Sequence, residues 1–295
     1  MYFRAFYGVP DSFRAPDGTA VNAVRGFLDM TARLVATYRP GRLVACWDDD
    51  WRPQFRVALL PTYKAHRVAP ETDPAANIEL TPDLLAPQVP VIIDVLAALG
   101  IARVGSPGFE ADDVIGTLAA ADAGPVDVVS GDRDLIQVID DARGVRLLYI
   151  GRGLAKLETM DEAAVRAKYA IPGRAYADFA ALRGDPSDGL PGVPGVGEKT
   201  AAGLIQRWGS IEALLAAVDS GDPALTQRPK LAAARAYLEV AAAVTRVRTD
   251  CPLPDFDAAL PVEPADPERL LELVDRWGVE SSVNRLLAAM RAARS

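Results

Sequence analysis

The sequence has few of the residues that form disulfides, zinc sites and histidine-centred catalysis. Cysteine occurs only at Cys46 and Cys251, and His66 is the single histidine. The two cysteines are far apart and fit no zinc-ligand spacing, which argues against a disulfide framework and against a zinc finger. So few cysteines fit a reducing, cytoplasmic environment. A Ser-His-Asp triad or a histidine-based metal site would have to include His66.

Long apolar runs are also absent. No stretch of about 18 uncharged apolar residues occurs, so no membrane span is predicted, and the N-terminus lacks the basic-then-apolar pattern of a signal peptide. Half of the residues are hydrophobic, which suffices for a large core. Acidic residues outnumber basic ones by 40 to 32. Because DNA-binding surfaces are usually basic, this balance argues mildly against nucleic acid, and less so if the acids gather at a cation site.

The pattern of apolar residues predicts an α/β fold in the first part of the chain. The predicted strands are 42–47, 126–130 and 145–150. The predicted helices beside them are 22–38, 91–99 and 111–121. Strands that alternate with helices indicate a mostly parallel sheet, in which ligands bind at the carboxyl ends of the strands.

The second part of the chain is predicted to be helical. No convincing strand follows Ile171-Pro172-Gly173, so we place a domain boundary near Pro172. This division gives an α/β domain at 1–172 and a helical domain at 173–295. The predicted helices of the second domain are 175–182, 199–208, 211–218, 230–245 and 268–293.

A proline-rich segment interrupts the first domain at residues 61–90. A loop of this length is usually functional or disordered. Thr81 is predicted to cap a helix with Pro82 in its first turn. Pro87 and Pro90 predict that any helix here is kinked before Val91.

Acidic residues occur in four short clusters. The clusters are Asp48-Asp49-Asp50, Glu110-x-Asp112-Asp113, Asp132-x-Asp134 and Asp185-x-x-Asp188. Three of them lie where an α/β sheet presents its ligand site. Singly, each has an ordinary explanation, because acids in a first helical turn stabilise the helix dipole and Asp before Gly or Pro is common in turns.

Taken together, the clusters predict a metal site. Acid groups at one edge of a sheet repel each other and cannot all remain ionised unless cations are bound. Oxygen ligands without histidine favour Mg²⁺ or Mn²⁺ over zinc. So many acids also suit two ions about 4 Å apart, which is the arrangement that clamps both oxygens in phosphodiester cleavage.

A glycine-rich segment at 189–200 (GLPGVPGVGEKT) predicts a helical hairpin that grips phosphate. Gly192, Gly195 and Gly197 allow tight turns and close approach to a ligand. Lys199 and Thr200 open a helix whose free N–H groups can hold a phosphate, which would bind a DNA backbone without reading bases. The alternative is a plain connector between helices. The spacing does not match a Walker A motif.

These motifs together resemble the 5′-nuclease family. The matching segments are 2–8, 63–67 (YKAHR), 109–119 (FEADDVIGTLA), 130–134 (SGDRD) and 184–200. That family includes the 5′–3′ exonuclease domain of bacterial DNA polymerase I, phage 5′ exonucleases and flap endonucleases. The similarity runs from residue 2 to about 245 and identifies a stand-alone bacterial member. It implies a PIN-like fold, a helix-hairpin-helix domain, and cleavage of 5′ flaps and 5′ ends in primer removal and DNA repair.

The resemblance also implies residue roles. The first metal site would use Asp48, Glu110, Asp112, Asp113 and Asp132. The second would use Asp134, Asp185 and Asp188. Tyr63, Lys64 and Arg67 would stand at the base of a helical arch, about 61–90, with Lys64 and Arg67 on the scissile phosphate. Arg4 resembles a family residue that contacts phosphate. The resemblance also implies K⁺ at the hairpin and a monomer that binds DNA.

The chain departs from the family pattern at two places. Family members begin with an apolar strand that ends in Asp, whereas here Met1 directly precedes Tyr2. Either the natural start lies upstream, which we prefer because the other ligands are present, or the chain lacks that strand. The family also has one Asp after the second strand. We choose Asp48 as the matching residue, and Asp49 remains the alternative.

Two other functions are alternatives to a 5′ nuclease. One is a DNA-binding module that does not cut. The other is a PIN-type ribonuclease, against which the hairpin and the Tyr-Lys-x-x-Arg motif count.

Overall fold

The computed structural model describes residues 1–69 and 78–294. The strands are β1 (Val44–Cys46), β2 (Ala102–Val104), β3 (Val126–Ser130), β4 (Val145–Tyr149) and β5 (Glu158–Met160). The helices are α1 (Tyr2–Gly8), α2 (Asn22–Tyr38), α3 (Gln54–Leu59), α4 (Gln88–Leu99), α5 (Ala111–Ala121), α6 (Glu162–Tyr169), α7 (Tyr176–Arg183), α8 (Glu198–Trp208), α9 (Ile211–Ser220), α10 (Arg228–Ala233), α11 (Arg235–Thr245), α12 (Pro267–Trp277) and α13 (Glu280–Arg294). None of these helices has both the length and the apolar character needed to cross a bilayer.

The strands form two small sheets, which confirms the predicted α/β fold. β1 pairs in parallel with β2, and β3 pairs in parallel with β4. β5 pairs with β4 in the antiparallel direction. In the described part of the chain the two sheets share no hydrogen-bonded pair of strands. The three predicted strands correspond to β1, β3 and β4, whereas β2 and β5 have only three residues each and escaped prediction.

The proline-rich segment differs from its prediction. Thr81 does not cap a helix, because the residues after it form turns and α4 begins at Gln88. Pro87 stands at the N-cap of α4, and Pro90 lies in its first turn. A proline in the first turn removes an N–H that has no partner within the helix, so no kink results. Residues 70–77, which include part of the predicted arch, lie outside the described residues.

Most of the buried apolar side chains among the described residues lie in two large hydrophobic cores. The first contains α2 and α4 together with the C-terminal helices α12 and α13. The second contains β3, β4 and the helices α7 to α11. The predicted boundary near residue 172 would assign α12 and α13 to the second domain, but α13 packs on α2 and α12 packs on α4. Both helices turn an apolar face towards the first core.

Candidate active site

Three acids meet at the carboxyl edge of the sheets. Asp48 follows β1, Asp132 follows β3, and Asp112 lies in the first turn of α5. The Ala111 N–H donates to Asp48 Oδ1 at 2.7 Å, which ties the end of β1 to the start of α5. Burial raises the pKa of Asp112 well above its usual value, and the charges of Asp132 and Asp48 raise it further. The three carboxylates therefore lie within electrostatic range of one another, as the sequence predicted.

A second acid group shares Asp132 with the first. Burial raises the pKa of Asp134 well above its usual value, and the charges of Asp132, Asp188 and Asp185 act in the same direction. The Asp134 N–H donates to Asp132 Oδ1 at 2.9 Å. Asp185 is partly committed to its own turn, since its Oδ1 accepts from the Ser187 N–H at 2.9 Å. Asp132 is therefore close to the acids of both groups.

Among the three consecutive aspartates, only Asp48 belongs to the acid edge. Asp49 forms an ion pair with Arg103 at 3.3 Å on the side of β2. Asp50 accepts from the Arg52 N–H at 3.1 Å and closes a turn. This geometry supports the choice of Asp48 as the candidate ligand.

Lys64 and Arg67 bring positive charge to both acid groups. The Lys64 ammonium donates to Glu110, and its backbone N–H donates to the Asp188 carbonyl at 3.0 Å. Burial acts to lower the pKa of Lys64, but Glu110, Tyr63 and Asp188 together outweigh it, and the net pKa is well above the usual value. The Arg67 guanidinium donates to the Ser187 carbonyl at 2.6 Å and to Asp188 Oδ1 at 3.2 Å. The loop that carries both cations is therefore docked on the loop that carries Asp188.

Tyr63, which was predicted to lie at the base of the arch, is placed inside the fold. Its ring is buried, and its hydroxyl donates to Glu110 Oε2 at 2.8 Å. The ring packs in a small apolar cluster with Leu190 and Val244. Tyr63 therefore fixes Glu110 rather than facing a ligand.

Asp113, which was predicted as a metal ligand, points into the fold. Its carboxylate is fully buried and receives two bonds from the Arg56 guanidinium, both at 2.6 Å. The N–H groups of Arg248 and Glu110 donate to it as well, at 2.8 and 3.2 Å. Because all these donors occupy the carboxylate inside the fold, Asp113 is not available at the acid edge.

Arg56 and Glu79 were not among the predicted site residues. Arg56 also donates to Glu110 Oε2 at 2.7 Å and to the Val244 carbonyl at 2.9 Å. Glu79 lies near Asp48, and burial, followed by the charge of Asp48, raises the pKa of Glu79. Glu79 could have been noticed as an acidic residue within the proline-rich segment. Nothing in the sequence of α3 indicated that Arg56 would be buried.

Arg4 lies beside the loop that carries Asp132. It is an exposed residue of α1, and a Cβ added to Gly131 would stand 2.9 Å from its Nε atom. Helix α1 itself sits close to α2, where a Cβ added to Gly26 would stand 2.8 Å from that of Ala5. The predicted phosphate contact is thus at the acid edge.

The helical hairpin presents most of its predicted residues to solvent. Gly195, Gly197 and Lys199 are exposed, and α8 begins directly after Gly197. Thr200 is half-buried in the first turn of α8. Lys230, which the sequence did not single out, donates its ammonium to the Gly195 carbonyl at 3.1 Å and adds a cation to the hairpin.

Gly192 has a structural function. It is buried with φ of 69°, and an added Cβ would lie 2.6 Å from the Gly184 backbone nitrogen. The close approach that only glycine permits is to the chain's own backbone. A DNA contact at Gly192 stays a prediction.

Comparison with known proteins identifies the family. Residues 1–170 match the family model of the 5′-3′ exonuclease N-terminal resolvase-like domain, and residues 171–268 match that of the 5′-3′ exonuclease C-terminal SAM fold. The chain belongs to the 5′-3′ exonuclease family. It is 58% identical over 294 residues to a 5′-3′ exonuclease of Streptomyces coelicolor, covering 99% of this chain and 98% of the relative. A 5′-3′ exonuclease of Mycobacterium tuberculosis is 55% identical over 301 residues, covering 98% of this chain and 95% of the relative.

Longer relatives agree with this assignment, and solved structures share the fold. DNA polymerase I of Mycobacterium tuberculosis is 39% identical over 299 residues, which are 99% of this chain and 31% of the polymerase. The flap endonuclease-1 of Methanococcus jannaschii shares the fold with a TM-score of 0.57 at 18% identity, covering 99% of this chain and 91% of that chain. The bacteriophage T5 flap endonuclease in complex with DNA and metal ions has a TM-score of 0.56 at 15% identity, covering 91% and 90%.

The resemblance to 5′ nucleases implies bound divalent cations. The carboxylate oxygens at this edge are chemically suitable ligands for such ions. The raised pKa values of Asp112 and Asp134 reflect burial and the repulsion of neighbouring carboxylates, which a bound divalent cation relieves. Oxygen-only donors suit Mg²⁺ or Mn²⁺. Within residues 1–69 and 78–294, no three acidic, histidine or cysteine side chains already converge on one point as an ion-binding group. Several of the carboxylates are paired with cations and backbone amides instead.

Proposed function

We propose that this chain hydrolyses DNA phosphodiesters at 5′ ends and 5′ flaps with the help of Mg²⁺ or Mn²⁺. The observation that carries the proposal is the position of Asp132, which joins two acid groups beside Lys64 and Arg67. Two groups of oxygen donors at one edge suit a pair of ions, and adjacent cations suit a phosphate. Membership of the 5′-3′ exonuclease family supports the same reaction.

Each part of the site then has a defined task. Asp48, Glu110, Asp112 and Asp132 would hold one cation, and Asp134, Asp185 and Asp188 a second. Bound divalent cations orient and deprotonate a water molecule and stabilise the departing oxygen. The acids at the edge keep these cations beside the phosphate, and this requires that their carboxylates remain ionised.

The basic residues would hold the substrate. Lys64 and Arg67 stabilise the negative charge that develops on the scissile phosphate, because their docked loop fixes them in advance. Arg4 holds the neighbouring phosphate on the side of Asp132. Lys199 and the free N–H groups at the start of α8 bind the backbone of the duplex. The substrate class includes the junctions between RNA primers and DNA that arise in replication and repair.

The test compares Asp132→Ala with Asp127→Ala. Asp127 lies on β3, the strand that Asp132 follows, but it forms an ion pair with Arg146 and lies away from the acid edge. We expect Asp132→Ala to lower the cleavage rate of a labelled 5′-flap duplex in Mg²⁺ by at least about 100-fold, the usual effect of losing a preorganised electrostatic contact. Asp127→Ala should cleave like the parent chain, and both should bind the flap with unchanged or tighter affinity in EDTA.

Three outcomes would contradict the proposal. Substantial cleavage by Asp132→Ala would show that the acids are structural. Binding of the flap by the parent chain without any cleavage in Mg²⁺ or Mn²⁺ would favour the DNA-binding module. Cleavage of single-stranded RNA in preference to a DNA flap would favour the PIN-type ribonuclease.

A further inference from the structure

The two carboxylate oxygens of Glu110 have different kinds of partner. Oε2 accepts from the Arg56 guanidinium at 2.7 Å and from the Tyr63 hydroxyl at 2.8 Å. Both donors are almost fully buried, so they cannot leave Oε2 unless the fold opens. Oε1 accepts from the Lys64 ammonium. Movement of the Lys64 side chain would therefore release Oε1 from its ion pair while the rest of the carboxylate stays fixed.

The loop anchors Lys64 through its backbone and not through its side chain. The Lys64 N–H donates to the Asp188 carbonyl at 3.0 Å, and the Lys64 carbonyl accepts from the Arg67 N–H at 3.0 Å. The Lys64 side chain is 14% exposed, against 3% for that of Arg56. Lysine carries its charge on a flexible four-carbon stem. The ammonium can therefore turn to another partner while the loop stays docked.

The charge of Lys64 already acts on the acids where divalent cations are proposed to bind. Burial raises the pKa values of Asp112, Asp134 and Asp188, and the charge of Lys64 acts in the opposite direction on all three. A divalent cation at the same edge would relieve the same repulsion between carboxylates. Lys64 and such a cation therefore compete for one set of negative charges, and for Oε1 of Glu110 in particular.

A phosphate group would end this competition. A phosphate oxygen forms a charge-assisted hydrogen bond with an ammonium group, as a carboxylate oxygen does. Once the Lys64 ammonium has turned to a phosphate, Oε1 of Glu110 is left as a buried negative charge without its partner. A buried charge that loses its partner is unfavourable. The departure of Lys64 would therefore itself favour a cation at Oε1.

We propose that the Lys64 ammonium exchanges Oε1 of Glu110 for the scissile phosphate when DNA binds, and that this exchange tightens the binding of a divalent cation at the first acid group. DNA and cation are thus coupled through one side chain. Coupling between two sites is reciprocal and typically changes each affinity by about 5- to 150-fold. The inference rests on the proposed function, because Lys64 must meet the phosphate of a DNA substrate.

The first test measures the binding of Mg²⁺ alone by titration calorimetry, without DNA. Lys64→Met removes the ammonium and keeps a long, unbranched side chain. We expect this variant to bind Mg²⁺ at least about tenfold more tightly than the parent chain, within the usual range of such coupling. Arg4→Met is the matched control, because Arg4 also carries one positive charge beside the acid edge but lies at Gly131 rather than at Glu110. Arg4→Met should tighten the binding of Mg²⁺ much less.

The second test measures the affinity for a 5′-flap duplex in EDTA, where neither bound cations nor cleavage contribute. Glu110→Gln removes the charge that holds the Lys64 ammonium, so the affinity for the flap should rise by about fivefold or more. In a chain that already carries Lys64→Met, the same change should have little effect, because there is no ammonium to release. Such a double-mutant cycle isolates the energy that the two residues share.

Three results would overturn the inference. One is an equal affinity of Lys64→Met and the parent chain for Mg²⁺. Another is an equal gain for Arg4→Met, and the third is a gain for Glu110→Gln that persists with Lys64→Met, because both would be general effects of charge. Failure of the proposed function is a different result, in which the parent chain cleaves no flap in Mg²⁺ or Mn²⁺. If Lys64→Met does not fold, Lys64→Gln, which also lacks the charge, replaces it in both tests.

Discussion

Two neighbouring carboxylates in α5 have opposite surroundings. Asp112 lies at the acid edge with Asp48 and Asp132, whereas Asp113 points inward and pairs with Arg56. Successive residues of a helix face directions about 100° apart, so one turn serves both the site and the core. Arg56 is the residue that permits this division, because it neutralises Asp113 and contacts Glu110 at once.

Replacement of Arg56 by alanine should destabilise the protein strongly. The change leaves Asp113 buried without its cation, and breaking a buried pair in this way costs about 3 to 5 kcal/mol. Arg42→Ala is the matched control, because the ion pair of Arg42 with Asp122 is at the surface and such pairs contribute at most about 1 kcal/mol. Urea unfolding of both variants measures the difference. Equal losses of stability would show that the buried pair is not a structural anchor.

The sequence was sufficient to find the acid edge but not to sort its members. Asp48 and Asp132 directly follow apolar strands, and the carboxyl ends of parallel strands meet at one edge, so their proximity followed from spacing. The burial of Asp113 depends on Arg56, which lies on another helix. Nothing local to either residue reveals that contact.

At the scale of elements, the docking of one loop on another positions the cations. The loop of Lys64 and Arg67 contacts the loop of Asp188 through backbone and side-chain bonds, including one from Thr62 Oγ1 to the Gly189 carbonyl at 3.0 Å. Gly189 has φ of 72°, and an added Cβ would lie 2.2 Å from the Thr62 carbonyl oxygen. The two loops can approach this closely only because residue 189 has no side chain.

Gly189→Ala should therefore lower activity more than stability alone explains. Gly153→Ala is the control, since Gly153 also has a positive φ of 84° but has open space around it. Both changes should cost about 1 kcal/mol or more through backbone strain. Only Gly189→Ala should push Lys64 and Arg67 away from the acid edge and reduce kcat on a 5′-flap duplex, by about tenfold or more, since misplacement by about 1 Å can cost 100-fold. Equal kcat values for the two variants would contradict this role for the contact.

A second close contact joins α5 to the segment after α11. A Cβ added to Gly116 would lie 2.6 Å from the Arg248 carbonyl oxygen, whereas one added to Gly203 in α8 meets nothing. We expect Gly116→Ala to destabilise the fold by about 1 to 3 kcal/mol through overpacking. Gly203→Ala should stabilise it by up to about 1 kcal/mol, because alanine is the better helix former. Thermal unfolding of both variants gives the signs, and a neutral Gly116→Ala would show that the segment can move aside.

Elements were predictable in proportion to their length and regularity. The helices 22–38 and 111–121 have the predicted bounds because several turns of apolar periodicity define them. β2 and β5 have three residues each, which is too few to establish an alternation. Their pairing partners, rather than their own residues, make them strands.

At the scale of the whole molecule, the C-terminal helices complete the first core. Leu286 of α13 is fully buried in the core that also holds α2, while Leu271 of α12 is 62% exposed. Their amphipathic pattern indicated that α12 and α13 have a partner but not which one. Only the three-dimensional structure shows that contacts of α13 with α2 span 256 residues of the chain, and that a contact of α12 with α4 spans 175.

Leu286→Ala should report on this packing. Removing a buried leucine side chain costs about 2 to 5 kcal/mol, and we expect hydrogen exchange to accelerate in α2 and α4 while α8 and α9 of the second core change little. Leu271→Ala is the matched control and should leave both regions unchanged. If exchange accelerated in α8 and α9 instead, the last helix would belong to the second domain, as the sequence first suggested.

The return of α12 and α13 to the first core has a consequence for synthesis of the chain. The second core is built from residues between the two parts of the first, so it is an insertion within the first core. A polypeptide emerges from the ribosome N-terminus first, and its regions fold as they become available. The second core can therefore close while the chain is still being made. Helix α2, although made early, keeps the part of its apolar face that α13 covers open until α13 has been released.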